Sequence, residues 1–174
     1  NAFIKVDERT TFELDLTHHQ DAFHHRGNAD IRPAEQTDIE ILEQIARTNH
    51  PDSRFFADKN FDQKKSAAMY ALWIRKHIEG EAGAVFVPVC NKKPGGYISC
   101  LEKPAATSIY GEIGLIGVNP DCRGKGLGSA LIDFALEWFF NEHIHTVRVA
   151  TQGRNQKAIQ LYQKFGFETQ NIQH

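Results

Sequence analysis

The sequence predicts an α/β protein built around a mixed sheet. Two observations carry this. Short apolar or alternating runs recur at 10–16, 84–89, 96–102, 112–118, 145–151 and 167–173, each of strand length. Apolar residues at helical spacing fill the intervals, with long helical patterns over 66–78 and 127–141.

The first run, TTFELDL at 10–16, sets Phe12, Leu14 and Leu16 on one face and reads as a strand. A polar connector follows, HHQDAFHHRGNAD. Its histidines, His18, His19, His24 and His25, match no common zinc spacing, so no metal is assigned and a solvated or substrate-facing loop is expected. Residues 1–29 are read as an N-terminal extension and 30–174 as the domain proper. From Asp30 a short strand leads into a helix. Thr37 is the expected N-cap, Glu40 completes a capping box, and Ile41, Leu42 and Ile45 form the apolar stripe. The helix at 66–78 presents Met69, Leu72, Trp73 and Ile78. Between these helices lies NHPDSRFFADKNFD, unusually aromatic and polar for a connector.

AVFVPV and GYISCLE flank NKKPGG and predict an antiparallel hairpin, with Pro88 at an edge or bulge. EIGLIGV is the next strand and ends at Asn119-Pro120. In the helix at 127–141, Leu127, Leu131, Phe134 and Trp138 share one face, with Ser129, Asp133, Glu137 and Asn141 on the other. HTVRVAT is a strand, NQKAIQLYQKF a helix closed by Gly166, and FETQNIQ a final strand.

The chain has 174 residues, 41% hydrophobic and 24% charged, with a net charge of −2. These values suit one globular domain and give no basic footprint for nucleic acid. No apolar run reaches the ~20 residues that span a bilayer, and no signal peptide is visible. Cys90, Cys100 and Cys122 are odd in number and lack a CxxC pair, which argues against a disulfide framework or a structural zinc. A cytoplasmic location is therefore the expectation.

Arg123-Gly124-Lys125-Gly126-Leu127-Gly128 lies directly ahead of the helix at 127–141. Free backbone N–H groups and the positive end of the dipole gather at a helix start, and glycines let a ligand approach them. Arg123 and Lys125 add charge. The stretch therefore reads as an anion seat, best suited to a pyrophosphate. It fails the P-loop pattern because Lys125 is followed by Gly126, and it lacks the acidic residue of a dinucleotide fingerprint. A purely structural glycine turn is the competing reading. One strand later, Asn155 and Tyr162 stand seven residues apart on one helical face, with the small Ala158 between them.

V-x-P-x-x-R-G-x-G-x-G before a helix, followed by N-x-x-A-x-x-x-Y-x-x-x-G-F, resembles the GCN5-related N-acetyltransferase (GNAT) superfamily, over residues 30–172. The resemblance implies the acyl-CoA N-acyltransferase fold, a mostly antiparallel central sheet flanked by helices, with acetyl-CoA as cosubstrate. It assigns the coenzyme A pyrophosphate to Arg123 through Gly128, with Ser129. It also makes Ile116 a backbone partner of the pantetheine arm. FELDLT, SRF, Y-A-x-W-I, GYIS and VRVATQ are similar to members that acetylate the 4-amino group of a dTDP-linked 4,6-dideoxygalactose.

Direct attack of an amine on the thioester needs an oxyanion donor, for which the Val118 backbone N–H is the candidate. Tyr162, protonated at neutral pH, is the candidate general acid. Asn155 would bond the pantetheine or a water. Glu112 lies six residues before Val118, so a period of two puts both on one strand face and makes Glu112 a candidate base; its competing reading is an exposed strand-start carboxylate. Arg54 would pair with a diphosphate and Phe55 or Phe56 would stack on thymine or pack on the sugar, against a reading of either phenylalanine as core. The expected partner is thus a small-molecule amine, a dTDP-amino sugar, with no nucleic acid or membrane; a homodimer is compatible with this. The alternatives are another small amine or a protein amine as acceptor, or a non-catalytic acyl-CoA-binding module.

Overall fold

The computed structural model describes residues 8–17 and 29–173, so the histidines at 18, 19, 24 and 25 lie outside the described residues. Among the described residues the strands are β1 (Arg9–Asp15), β2 (Ile31–Pro33), β3 (Ala84–Cys90), β4 (Lys93–Pro94), β5 (Gly96–Pro104), β6 (Ile109–Val118), β7 (Thr146–Gln152) and β8 (Glu168–Gln173). The helices are α1 (Ile39–Ala46), α2 (Arg54–Ala57), α3 (Gln63–Lys76), α4 (Leu127–Asn141) and α5 (Gln156–Lys164). One sheet runs β2-β3-β5-β6-β7-β1-β8, with β4 paired to β3. The β6–β7 pair is parallel and the other pairs are antiparallel. The first strand is threaded between β7 and β8 rather than lying outside the sheet.

Alternation along the strands divides the interior into two cores. Phe86, Ile98, Cys100 and Ile113 join Leu131, Leu136 and Phe139 of α4 and Tyr162 of α5. Val85, Val87, Tyr97 and Leu115 join Leu42 and Ile45 of α1 with Tyr70 and Ile74 of α3. Pro88 lies beyond the Ala84–Phe86 segment that pairs with β5, where its missing N–H costs no bond to that strand.

Three expectations for the helices need correction. Ahead of α1, Asp38 is the reciprocal capping residue rather than Glu40: its carboxylate accepts the Glu35 N–H at 2.8 Å and both Arg32 guanidinium nitrogens at 2.7 and 2.9 Å. That charge-assisted pairing with Arg32 holds the Asp38 carboxyl below its ordinary range. Thr37 only approaches the Glu35 carboxylate, at 3.4 Å. In α3 the buried line is Ser66, Tyr70 and Ile74, spaced by four, while Leu72 and Trp73 are 48% and 36% exposed. In α4, Asp133 is buried with its apolar neighbours, because this helix covers β3, β5 and β6 over an arc wider than one stripe.

The cysteine expectation is also overturned. Cys90 at the end of β3 and Cys122 in the turn after β6 form a disulfide, leaving Cys100 as the free thiol. The two lie 32 residues apart in sequence, yet their Cα atoms are 6.4 Å apart. No sequence spacing announces such a pair.

The β5–β6 register shifts between Ile98 and Cys100: Ile98 faces Ile116, yet Cys100 faces Ile113. Two steps on β5 match three on β6, so β6 carries a bulge. The extra residue leaves an N–H without its ladder partner, and the buried Ser99 hydroxyl accepts it, from Leu115, at 2.9 Å. Ser99→Ala would leave that N–H unpaired in the interior. We expect a loss of about 1–3 kcal/mol in urea denaturation, with the m-value unchanged.

Candidate active site

The parallel β6–β7 pairing stops at Ile113 and Val149. Beyond that point both strands continue without each other, and their free edges border a cavity of about 690 Å³. Gly114 to Val118 form one wall and Ala150 to Gln152 the other. Unpaired backbone groups on such edges are ready partners for an extended polar ligand. Asn155, Ala158, Leu161 and Tyr162 of the α5 segment close one side, and Gly128 at the start of α4 reaches the same space.

Tyr162 is 3% exposed and packs between Phe12 and Phe167, at ring-centroid distances of 6.0 and 5.9 Å. Burial pushes its phenol pKa up, so the hydroxyl is protonated at neutral pH. Asn155 caps α5, its Oδ1 accepting the Ala158 N–H at 3.2 Å. Ile116 and Val118 line the cavity.

The glycine stretch turns into α4 through left-handed residues, and of residues 123 to 129 it is Gly128 that lines the cavity. Gly124 and Gly126 have φ of 76° and 75°, and a Cβ on either would meet no atom within 4 Å, so conformation rather than space calls for glycine there. Gly126 is the residue before α4, and no side chain caps the first turn. Leu127 is buried against Cys90 and Cys122, which anchors the stretch from beneath. Ser129 is half-buried in the first turn. The Lys125 ammonium lies 3.6 Å from the Cys90 sulfur. The Arg123 side chain turns back: Nε donates to the Val118 carbonyl at 3.3 Å and Nη2 to Asn49 Oδ1 at 3.1 Å.

Arg54 and Phe55 both line the cavity, with the guanidinium 4.7 Å from the Phe55 ring centroid. Phe55 also meets Phe61 and Trp73 edge-on, at 5.2 and 6.1 Å. Glu112 is not among the lining residues. The bulge explains this: Glu112 faces Leu101, whereas Ile116 and Val118 face Ile98 and Gly96, so the extra residue reverses the face and Glu112 lies opposite Val118 across the sheet. The same-face expectation for that pair therefore fails.

Two residues given no role from the sequence, His50 and Tyr70, complete the wall. His50 and Tyr70 stack at 4.2 Å with a 16° interplanar angle, and His50 Nε2 lies 2.8 Å from the Tyr97 hydroxyl. Burial pushes the His50 pKa down from 6.5 to about 4. Because the folded value is the lower one, the unfolded chain takes the proton more readily. His50 should thus lower stability as pH falls through 6.5 toward 4, by about 3 kcal/mol at the end of that window, and contribute nothing above pH 7. Urea melts at pH 7 and pH 4 should show a difference that shrinks by about this amount in His50→Gln. The signal for His50 was its place in the aromatic, polar connector at 49–61, whose phenylalanines drew attention first.

A family model described as "Acetyltransferase (GNAT) family" matches residues 32–167. An uncharacterized N-acetyltransferase of Methanocaldococcus jannaschii is 32% identical over 126 residues, covering 68% of this chain and 53% of its own length. The dTDP-fucosamine acetyltransferase of Escherichia coli is 31% identical, covering 76% of this chain and 56% of its own. The spore coat polysaccharide biosynthesis protein SpsD of Bacillus subtilis is 27% identical, covering 79% and 46%. The chain thus spans about half the length of the curated relatives it matches. Among solved structures, an acetyltransferase from the GNAT family of Novosphingobium aromaticivorans superposes with a TM-score of 0.65 at 15% identity, over 95% of this chain and 61% of that one. A predicted acetyltransferase of Clostridium acetobutylicum, solved with acetyl-CoA, gives 0.61 at 17% identity, over 82% and 92%.

Proposed function

Because the chain belongs to the acetyltransferase (GNAT) family, we propose that it moves an acetyl group from acetyl-CoA to a primary amine, that of a dTDP-linked amino-dideoxysugar. The observation that carries this is one continuous cavity bordered by the start of α4, the parted end of β6, Tyr162 and the Arg54–Phe55 wall. The amides of Gly124 to Gly128 would take the coenzyme A pyrophosphate, with Lys125 adding charge and Ser129 a hydroxyl. The Arg123 side chain, spent on Val118 and Asn49, holds the end of β6 in position. The pantetheine arm would run along β6 at Ile116, with Asn155 opposite.

Chemically, the amine lone pair attacks the thioester carbon, and the Val118 N–H stabilises the oxyanion that forms. As the adduct collapses, the C–S bond breaks and the Tyr162 hydroxyl gives its proton to the departing thiolate. Arg54 would pair with the diphosphate of the acceptor and Phe55, with Trp73 beside it, would offer an aromatic surface to the nucleobase or sugar. The likeness to the dTDP-fucosamine enzyme and to the spore coat polysaccharide protein supports an acceptor of this class.

Release of coenzyme A measured across dTDP-amino sugars, lysine peptides and polyamines tests the reading. A dTDP-amino sugar should be preferred in kcat/KM by about 100-fold or more, the scale set by lost charge-assisted and stacking contacts. Preference for a peptide or polyamine would overturn the acceptor, and acetyl-CoA binding without turnover on any amine would overturn the enzyme.

A further inference from the structure

We infer that His50 is the base that takes the proton from the attacking amine, and that Tyr97 holds its ring for this task. The inference deepens the transferase reading above and rests on it.

Geometry brings His50 to the reacting end of the cavity. It lines the same cavity as Tyr162, from the α1–α2 connection. Its Nε2 is engaged by the Tyr97 hydroxyl at 2.8 Å, and that hydroxyl sits against β6: a Cβ at Gly117 would come within 2.9 Å of it. Gly117 lies between Ile116 and Val118, the segment proposed to hold the thioester. The preceding residue, Asn49, is tied in two directions, donating to the Ile45 carbonyl at 2.9 Å and accepting from Arg123 at 3.1 Å. Arg123 in turn donates to the Val118 carbonyl at 3.3 Å. A connector between helices is thereby registered against the proposed oxyanion position. The stack on Tyr70 fixes the plane of the ring.

In the tautomer this role requires, Nε2–H donates to the Tyr97 oxygen and Nδ1 carries the lone pair for the acceptor. Burial keeps the imidazole neutral at physiological pH, so the lone pair is available before the amine arrives. Asp52 and Arg54 from the same connection, Tyr70 from α3, Arg9 from β1 and Lys157 from α5 are the other ionisable groups at the cavity. Asp52 is the competing carboxylate, and Glu112 is removed by the bulge.

The step balances. The C–N bond forms as the carbonyl π pair moves to oxygen; Nδ1 takes one proton from the nitrogen of the adduct, which is far more acidic there than in a free ammonium. The carbonyl re-forms, the C–S bond breaks, and the sulfur takes the Tyr162 proton. His50 then gives its proton to water and Tyr162 regains one. Amine and acetyl-CoA have become amide and coenzyme A, with nothing else consumed.

His50→Gln keeps a partner for Tyr97 but is not a base. It should lower kcat about 100-fold with the KM for acetyl-CoA within about two-fold, in line with general-base contributions. His50→Ala should fall similarly and regain at least ten-fold on adding imidazole, which a merely structural role would not allow. Any amine that the wild type turns over serves for the comparison, and where none is found the slow hydrolysis of acetyl-CoA by water in the same site replaces it. Failure of the acceptor assignment is therefore read in the wild type, and failure of this inference only in the variants. A kcat for His50→Gln within about three-fold of wild type, an Asp52→Asn variant that is crippled while His50→Gln is not, or a loss in His50→Ala that imidazole leaves untouched would each overturn it.

Discussion

Tyr162→Phe is expected to reduce kcat by about 100- to 1,000-fold while acetyl-CoA affinity stays within about two-fold. The substitution deletes one oxygen from a side chain that is 3% exposed and packed between Phe12 and Phe167, so the ring should stay where it is. What disappears is a proton held ready by burial at neutral pH. A thiolate expelled without that proton must wait for one from water, and the collapse of the adduct slows. Because the hydroxyl would act on sulfur late in the reaction, ground-state binding should be untouched. Isothermal titration with acetyl-CoA beside steady-state kinetics separates the two. A variant with unchanged kcat would remove Tyr162 as the acid; one that loses binding in proportion would make it a pantetheine contact instead.

Gly96→Ala should produce the largest structural effect. Gly96 faces Val118 across β5 and β6, and a Cβ there would lie 2.5 Å from the Gly117 carbonyl oxygen and 3.1 Å from the Val118 Cα. Both are backbone atoms of the strand proposed to hold the thioester, so no side chain can swing aside. Overpacking of this kind costs about 1–3 kcal/mol, a large share of an ordinary domain's stability. We expect a loss of about 3 kcal/mol in urea and at least a ten-fold weaker acetyl-CoA complex, since the end of β6 must move. Gly124→Ala provides the contrast. Nothing lies within 4 Å of its Cβ, so only the left-handed backbone cost of about 1–2 kcal/mol applies. If both variants lose the same stability, the close approach at Gly96 is not what requires glycine.

The parts of this site that were legible in the sequence are those written in local chemistry. The α4 boundaries at Leu127 and Asn141 and the glycines before it follow from helix geometry within one segment, while Asn155, expected on one helical face with Tyr162, is instead the cap ahead of α5. Features that depend on pairing between segments were not legible. Counting by twos put Glu112 beside Val118, and a single bulge residue secured by Ser99 reversed that. The Cys90–Cys122 bond joins positions with no spacing signature. In α3 the apolar Leu72 and Trp73 suggested a core face, yet the smaller Ser66 and the amphipathic Tyr70 occupy it and leave Trp73 beside the cavity. His50 acquires meaning only once Tyr97, from another strand, is placed against it.

The threading of β1 has a consequence for how the chain reaches its final form. Arg9 faces Gln152 on one side and Gln173 on the other, so the first described strand is seated between two of the last. A ribosome delivers β1 before any of its neighbours exist. It must therefore wait, unpaired, until nearly the whole domain has been made, and β8 has no strand to lie on until β1 has entered. Closure of so long a loop is slow, and the edge of β7 stays open to strands from other chains in the meantime. Assembly of this sheet thus runs against the order of synthesis, and the vulnerable interval is the time that β1 takes to enter between β7 and β8.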